Sequence, residues 1–171
     1  LFNNKTNIQV SSDMSGLSIK SFGNLDKSAD KLVSFYFSKE TTSKNSEQIN
    51  FLYGKLITAK INKEKYRDGR FINKTGLISI NSPNNIMPKS GVRLVANLDY
   101  INGDDFLGFI GDDSRSFLTE ASLLIKELNV LNFKVHNASI KYMPTKEPIK
   151  YMSQKANVVI KIDSNEVSGN L

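Results

Sequence analysis

Aspartate, serine and glycine are the residues in this chain whose spacing first suggests chemistry. Asp13 lies in Ser12-Asp13-Met14-Ser15-Gly16, Asp99 ends an apolar run, and Gly103-Asp104-Asp105 and Gly111-Asp112-Asp113 follow within one short stretch. Carboxylates are the hard oxygen ligands that Mg²⁺ and Ca²⁺ require, so Asp13, Asp99 and Asp112 or Asp113 could form the acidic cluster of a two-metal nuclease. Neither Gly-Asp-Asp triplet has the ligand spacing of a calcium loop. Each aspartate also stands where a turn or a helix cap is expected, and those places favour Asp without any ligand.

Other chemistry is narrowed by what the chain lacks. With no cysteine there is no disulfide framework and no thiolate nucleophile or metal ligand, and with His136 as the single histidine a His-rich metal site is excluded. Any Ser-His-Asp triad would have to use His136. The Asn-x-Ser/Thr triplets at Asn4, Asn73 and Asn137 are ordinary in an asparagine-rich chain.

The positive charges form a second constellation. The formal net charge is +6, and Lys55 to Arg70 holds six basic residues against two acidic ones, while Asp99 to Asp113 holds five aspartates and no base. Such poles steer a charged partner. Arg67, Arg70, Arg93 and Arg115 are the only arginines, few for a protein that reads bases, and no nucleic-acid partner is expected. Lys55, Lys60, Lys63, Lys65, Arg67 and Arg70, with Tyr66 and Phe71 interleaved, are the candidate partner-binding residues.

These residues need elements to position them, and 171 residues with 39% hydrophobic content suffice for one domain. Asn7–Val10 and Leu17–Phe22 are β-prone runs about a turn, and Leu32–Phe37 adds a third strand with Val33, Phe35 and Phe37 on one face. From Asn45, Ile49, Leu52, Tyr53, Leu56, Ile57 and Ile61 recur at helical spacing, with Asn45 and Gln48 as an amide capping pair. This helix would end near Arg67-Asp68-Gly69-Arg70 and place the basic cluster at its C-terminus. Leu77–Ile80 and Val92–Tyr100 read as strands, the latter with Val92, Leu94, Ala96, Leu98 and Tyr100 on one face and Arg93, Val95, Asn97 and Asp99 on the other. A second helix is expected from about Ser114 to Leu131 on the stripe Phe117, Ala121, Leu124, Ile125, Leu128 and Leu131. Phe133–Val135, Ile140–Tyr142 and Val158–Ile162 follow as strands. The expected fold is therefore α/β, a mixed sheet in the order β-β-β-α-β-β-α-β-β opened by a three-stranded meander, in one domain over residues 1–163. Residues 164–171 read as a linker-like tail that would lead to a membrane segment outside this chain.

The stretch Ser12-Asp13-Met14-Ser15-Gly16 between Asn7-Ile8-Gln9-Val10 and Leu17-Ser18-Ile19-Lys20-Ser21-Phe22 resembles the phosphate hairpin of actin-like ATPases in reduced form. With the order of strands and helices above, and entry to a strand through Leu128-Asn129-Val130-Leu131-Asn132-Phe133-Lys134-Val135, the chain resembles the actin-like, RNase H-type cytoplasmic domains of bitopic assembly proteins. These are the L component of type II secretion and its counterparts in type IV pilus assembly. The resemblance implies a non-enzymatic scaffold without cofactors or metal at the cytoplasmic face of a bacterial inner membrane. It would dock the assembly ATPase and inner-membrane pilus or secretion proteins, with homodimerisation left open. Two alternatives stand beside it: a Mg²⁺-dependent RNase H-like nuclease, and an extracytoplasmic interaction domain of a conjugation or division complex.

Overall fold

In Ile57-Thr58-Ala59-Lys60-Ile61-Asn62, apolar and polar residues alternate strictly, the period of a strand with one face covered. That period governs the molecule. The computed structural model describes residues 6–20, 25–83, 86–103, 118–130, 133–144, 156–162 and 165–170, and its regular elements there are ten strands. They are β1 (Asn7–Ser12), β2 (Phe35–Ser43), β3 (Ser46–Tyr53), β4 (Ile57–Lys65), β5 (Phe71–Ile80), β6 (Gly91–Asn102), β7 (Glu120–Val130), β8 (Phe133–Pro144), β9 (Ala156–Ile162) and β10 (Asn165–Asn170). All ten are hydrogen-bonded in chain order in one sheet. Neighbours are antiparallel except for the parallel pairs β5–β6 and β6–β7.

The expected α/β architecture is thus corrected to an all-β mixed sheet, and among the described residues the actin-like, RNase H-type order of strands and helices is not present. The segment read as the first helix is the β3–β4 hairpin. Gly54 takes a left-handed conformation (φ 56°) between the strands, its N–H donates to Ser34 O at 2.7 Å, and Ile49 pairs across the ladder with Ile61. The helical spacing arose because two alternating strands joined by a short turn bring apolar residues back at irregular intervals of three and four. The segment read as the second helix is β7 from Glu120 onward, and residues 114–117 lie outside the described residues. Leu123 and Ile125 are 2% exposed whereas Leu124 is 55% exposed, an alternation no helix produces.

β1 pairs with β2 rather than with Leu17–Phe22, from which the described residues contribute one isolated bridge, Ile19 to Lys27. Phe133–Val135 and Ile140–Tyr142 belong to a single strand, β8. The stretch expected to be a linker contains β10, paired antiparallel with β9.

Register puts the core on one face of the central strands. Ile80, Ala96 and Leu123 lie in one row with Ile140, and Ile78, Leu94, Ala121 and Tyr142 lie in the next. Most of these are buried, and Leu25 from the β1–β2 connection packs into the same cluster. Burying a Leu or Ile side chain contributes about 1.5–3 kcal/mol, so this patch is the main source of the fold's stability.

The three strands β6, β7 and β8 break their alternation together. Asp99 and Tyr100, Lys126 and Glu127, and Asn137 and His136 each place two consecutive residues away from the core, after which Ile101 and Leu128 return to it. Asn137 supports the break with a left-handed backbone (φ 54°). Across that row Lys126 Nζ lies 2.5 Å from an Asp99 carboxylate oxygen, and Lys134 Nζ of β8 lies 3.1 Å from Glu127 Oε1 of β7.

Candidate partner-binding surface

The antiparallel order β2-β3-β4-β5 places the β2–β3 and β4–β5 turns at the same end of the sheet. A backbone hydrogen bond ties them: Lys65 N–H donates to Asn45 O at 2.7 Å. The β4–β5 turn is closed by Tyr66 N–H to Arg70 O at 2.8 Å and Gly69 N–H to Tyr66 O at 3.0 Å. Gly69 adopts φ 88°, a left-handed conformation that glycine enters without strain. Asp68 fixes the tip, accepting from Arg70 N–H at 2.9 Å and from Arg70 Nε at 2.8 Å, with Arg70 Nη2 2.7 Å from the same carboxylate. The side-chain and backbone hydrogen bonds from Arg70 hold the Asp68 carboxyl below the ordinary carboxylate value.

This geometry divides the six expected residues. Lys65, Arg67 and Arg70 come together at the exposed tip, and Lys44 of the neighbouring turn joins them. Among the described residues Lys44, Lys65 and Arg67 make no ion pair, and Tyr66 stands 57% exposed between them. Lys55 sits in the β3–β4 turn at the opposite end of β4, about 30 Å away at the usual rise per strand residue. Lys60 and Lys63 point to opposite faces of the sheet, Lys60 opposite Leu77 and Lys63 opposite Glu47. The basic residues are therefore at a hairpin end and along a strand, with no helix terminus beneath them.

Lys44 lies just before the helix expected from Asn45, so the sequence alone does not bring it near Lys65 and Arg67. The strict alternation from Ile57 to Asn62 is the signal that would have shown two hairpins, and hence two neighbouring turns.

The acidic residues are not gathered into a metal site among the described residues. Asp13 closes a local turn, its carboxylate accepting from Ser15 N–H at 3.0 Å and its carbonyl from Val33 N–H at 2.9 Å. Asp99 is paired with Lys126. Asp104, Asp105, Asp112 and Asp113 lie outside the described residues. His136 is exposed on β8, in register with Glu127. Among the described residues no helix is long and apolar enough to cross a membrane.

No family model, curated protein or solved structure matches the chain.

Proposed function

We propose that this domain is a non-enzymatic docking module, an adaptor that holds an acidic protein surface against the β2–β3 and β4–β5 turns. The observation that carries this reading is the pair of tied turns presenting Lys44, Lys65 and Arg67, free of ion pairs among the described residues, beside exposed Tyr66. Cations held on a braced turn lose less side-chain and loop freedom on binding than cations on a mobile one, and a neighbouring aromatic adds apolar area to the contact. A membrane-bound pilus or secretion platform with its assembly ATPase is one setting for such a module. Among the described residues the helices behind that resemblance are not found, so the reading rests on the hairpin end.

Poly-L-glutamate serves as the probe in titration calorimetry across a salt series. Reversing Lys44, Lys65 and Arg67 to Glu should abolish binding and its salt dependence, while reversing Lys55 and Lys60 should leave most of both, because those residues lie away from the tip. Equal losses in the two variants would reduce the effect to net charge and overturn the reading. So would tighter binding of polyuridylate than of poly-L-glutamate, which would indicate a nucleic-acid surface.

A further inference from the structure

An edge strand displays a row of unpaired N–H and C=O groups, and proteins that keep such an edge solitary guard it with lysine, proline, a bulge or a covering segment. Among the described residues β1 has none of these guards. Its sequence, Asn7-Ile8-Gln9-Val10-Ser11-Ser12, carries no charge and no proline, its register with β2 is unbroken, and every residue in it is exposed. Ile8 and Val10 are 46% and 48% exposed, and they extend the apolar side that Phe35 and Phe37 occupy on β2.

The backbone direction follows from one bond. Thr41 N–H donates to Thr6 O at 2.9 Å, and the register then runs evenly from Asn7 opposite Glu40 to Ser12 opposite Phe35. Antiparallel strands alternate between bonded and non-bonded pairs, so Ile8, Val10 and Ser12 direct their peptide groups to β2. The peptide groups of Asn7, Gln9 and Ser11 therefore point away from the sheet.

We infer that the β1 edge joins a second copy of this chain, strand against strand about a twofold axis through Gln9. One register satisfies both requirements of such a joint. Setting Gln9 opposite Gln9 of the other copy places Asn7 opposite Ser11 and Ser11 opposite Asn7, so every outward N–H and C=O of the three residues finds a partner. The same register sets Ile8 opposite Val10 on both sides of the axis, covering apolar groups that are now half open. The joint brings no like charges together within β1, and the nearest charges in register, Lys39 and Glu40 on β2, are of opposite sign.

Two properties of the dimer follow. A six-residue ladder is a small contact, below the about 1,200 Å² typical of stable complexes, so association is concentration-dependent. Two chains of net charge +6 repel at long range, so salt strengthens the dimer, the opposite of its effect on an acidic partner held at the hairpin end. The inference is thus independent of the docking reading, and the two can fail separately.

The absence of native cysteine permits a direct test. In the proposed register the two Gln9 Cα atoms stand about 5.5 Å apart, within disulfide reach, whereas the two Asn7 Cα atoms stand about 14 Å apart. Under mild oxidation Gln9→Cys should cross-link at least tenfold faster than Asn7→Cys. In sedimentation equilibrium the unmodified chain should approach a dimer as concentration rises toward about 1 mM, whereas Gln9→Lys should remain monomeric with an unchanged circular dichroism spectrum. A monomer at every concentration, together with equal cross-linking rates at the two positions, would overturn the inference. Open-ended oligomers would also overturn it, since they would show β1 pairing with a different strand of the next copy.

Discussion

Arg93 Nε stands 2.8 Å from Glu120 Oε2, and these two residues are also register partners at the entry of the parallel strands β6 and β7. A parallel pair cannot be aligned by a tight turn, because the chain must travel back before the second strand begins. The ion pair therefore marks the register at the point where the two strands first meet. Both side chains are partly exposed, 26% and 38%, so solvent screens the attraction. Glu120→Gln should lower stability by no more than about 1 kcal/mol in urea titration, with the difference shrinking in high salt. An undiminished loss at high salt would assign the effect to packing rather than charge.

Adjacent residues on β7 supply a sharper test of the fold. Leu123 is 2% exposed and packs between Ala96 and Ile140, while its neighbour Leu124 is 55% exposed on the other side of the sheet. Leu123→Ala should cost about 2–5 kcal/mol, and Leu124→Ala should cost within about 0.5 kcal/mol, as read from denaturant midpoints. A helix over this segment would reverse the order, since Leu124 and not Leu123 lies on the stripe with Ala121, Ile125 and Leu128.

That comparison shows how far the sequence carried. Val92 to Tyr100 was legible as a strand because Val92, Leu94, Ala96 and Leu98 recur at every second position, and all four are buried, whereas Tyr100, expected on the same side, is exposed. β7 was not, because Leu124 places a leucine on the exposed side and makes Ala121, Leu124, Ile125 and Leu128 look like a helical stripe. The β3–β4 hairpin was misread for a related reason: Leu52 and Leu56 lie off the Ile49-Phe51-Tyr53 face and fill in a helical period. Gly54, costly within a helix by about 1 kcal/mol relative to alanine, was the contrary local signal. At the candidate surface the basic composition was legible, but its division between a hairpin tip and a strand depends on ladder topology, which no local pattern contains.

Gly91 begins β6 with a left-handed backbone (φ 73°) directly against Thr119, and a side-chain carbon added there would collide with the Thr119 side chain. Thr119 is itself engaged, its N–H donating to Val92 O at 2.8 Å and its hydroxyl to the same oxygen at 3.1 Å. Gly91→Ala should destabilise by about 1–3 kcal/mol from backbone strain, with the steric clash adding to it. Thermal denaturation of Gly91→Ala and of Gly91→Ala/Thr119→Ala separates the two causes. The double variant should recover part of the loss by removing the nearest colliding atoms, and the remainder should persist because the backbone conformation is unchanged.

The hairpin tip has its own pH signature. Hydrogen bonds from the Arg70 side chain and backbone favour the charged form of Asp68 and lower its carboxyl pKa in the folded chain. A group whose pKa is depressed on folding contributes stability above its unfolded pKa and loses that contribution as pH falls through the folded pKa. The brace of the β4–β5 turn should therefore hold at neutral pH and loosen only in acid, below the range where a free aspartate titrates. Carbon-detected NMR titration should find Asp68 below the ordinary aspartate value, and Arg70→Gln should move it back toward that value by removing the guanidinium. The amides of Tyr66, Gly69 and Arg70 should shift with the same acid transition in the unaltered chain. An Asp68 that titrates as a free aspartate, or amides that follow a different transition, would show that this carboxylate does not brace the tip on which Lys65 and Arg67 are presented.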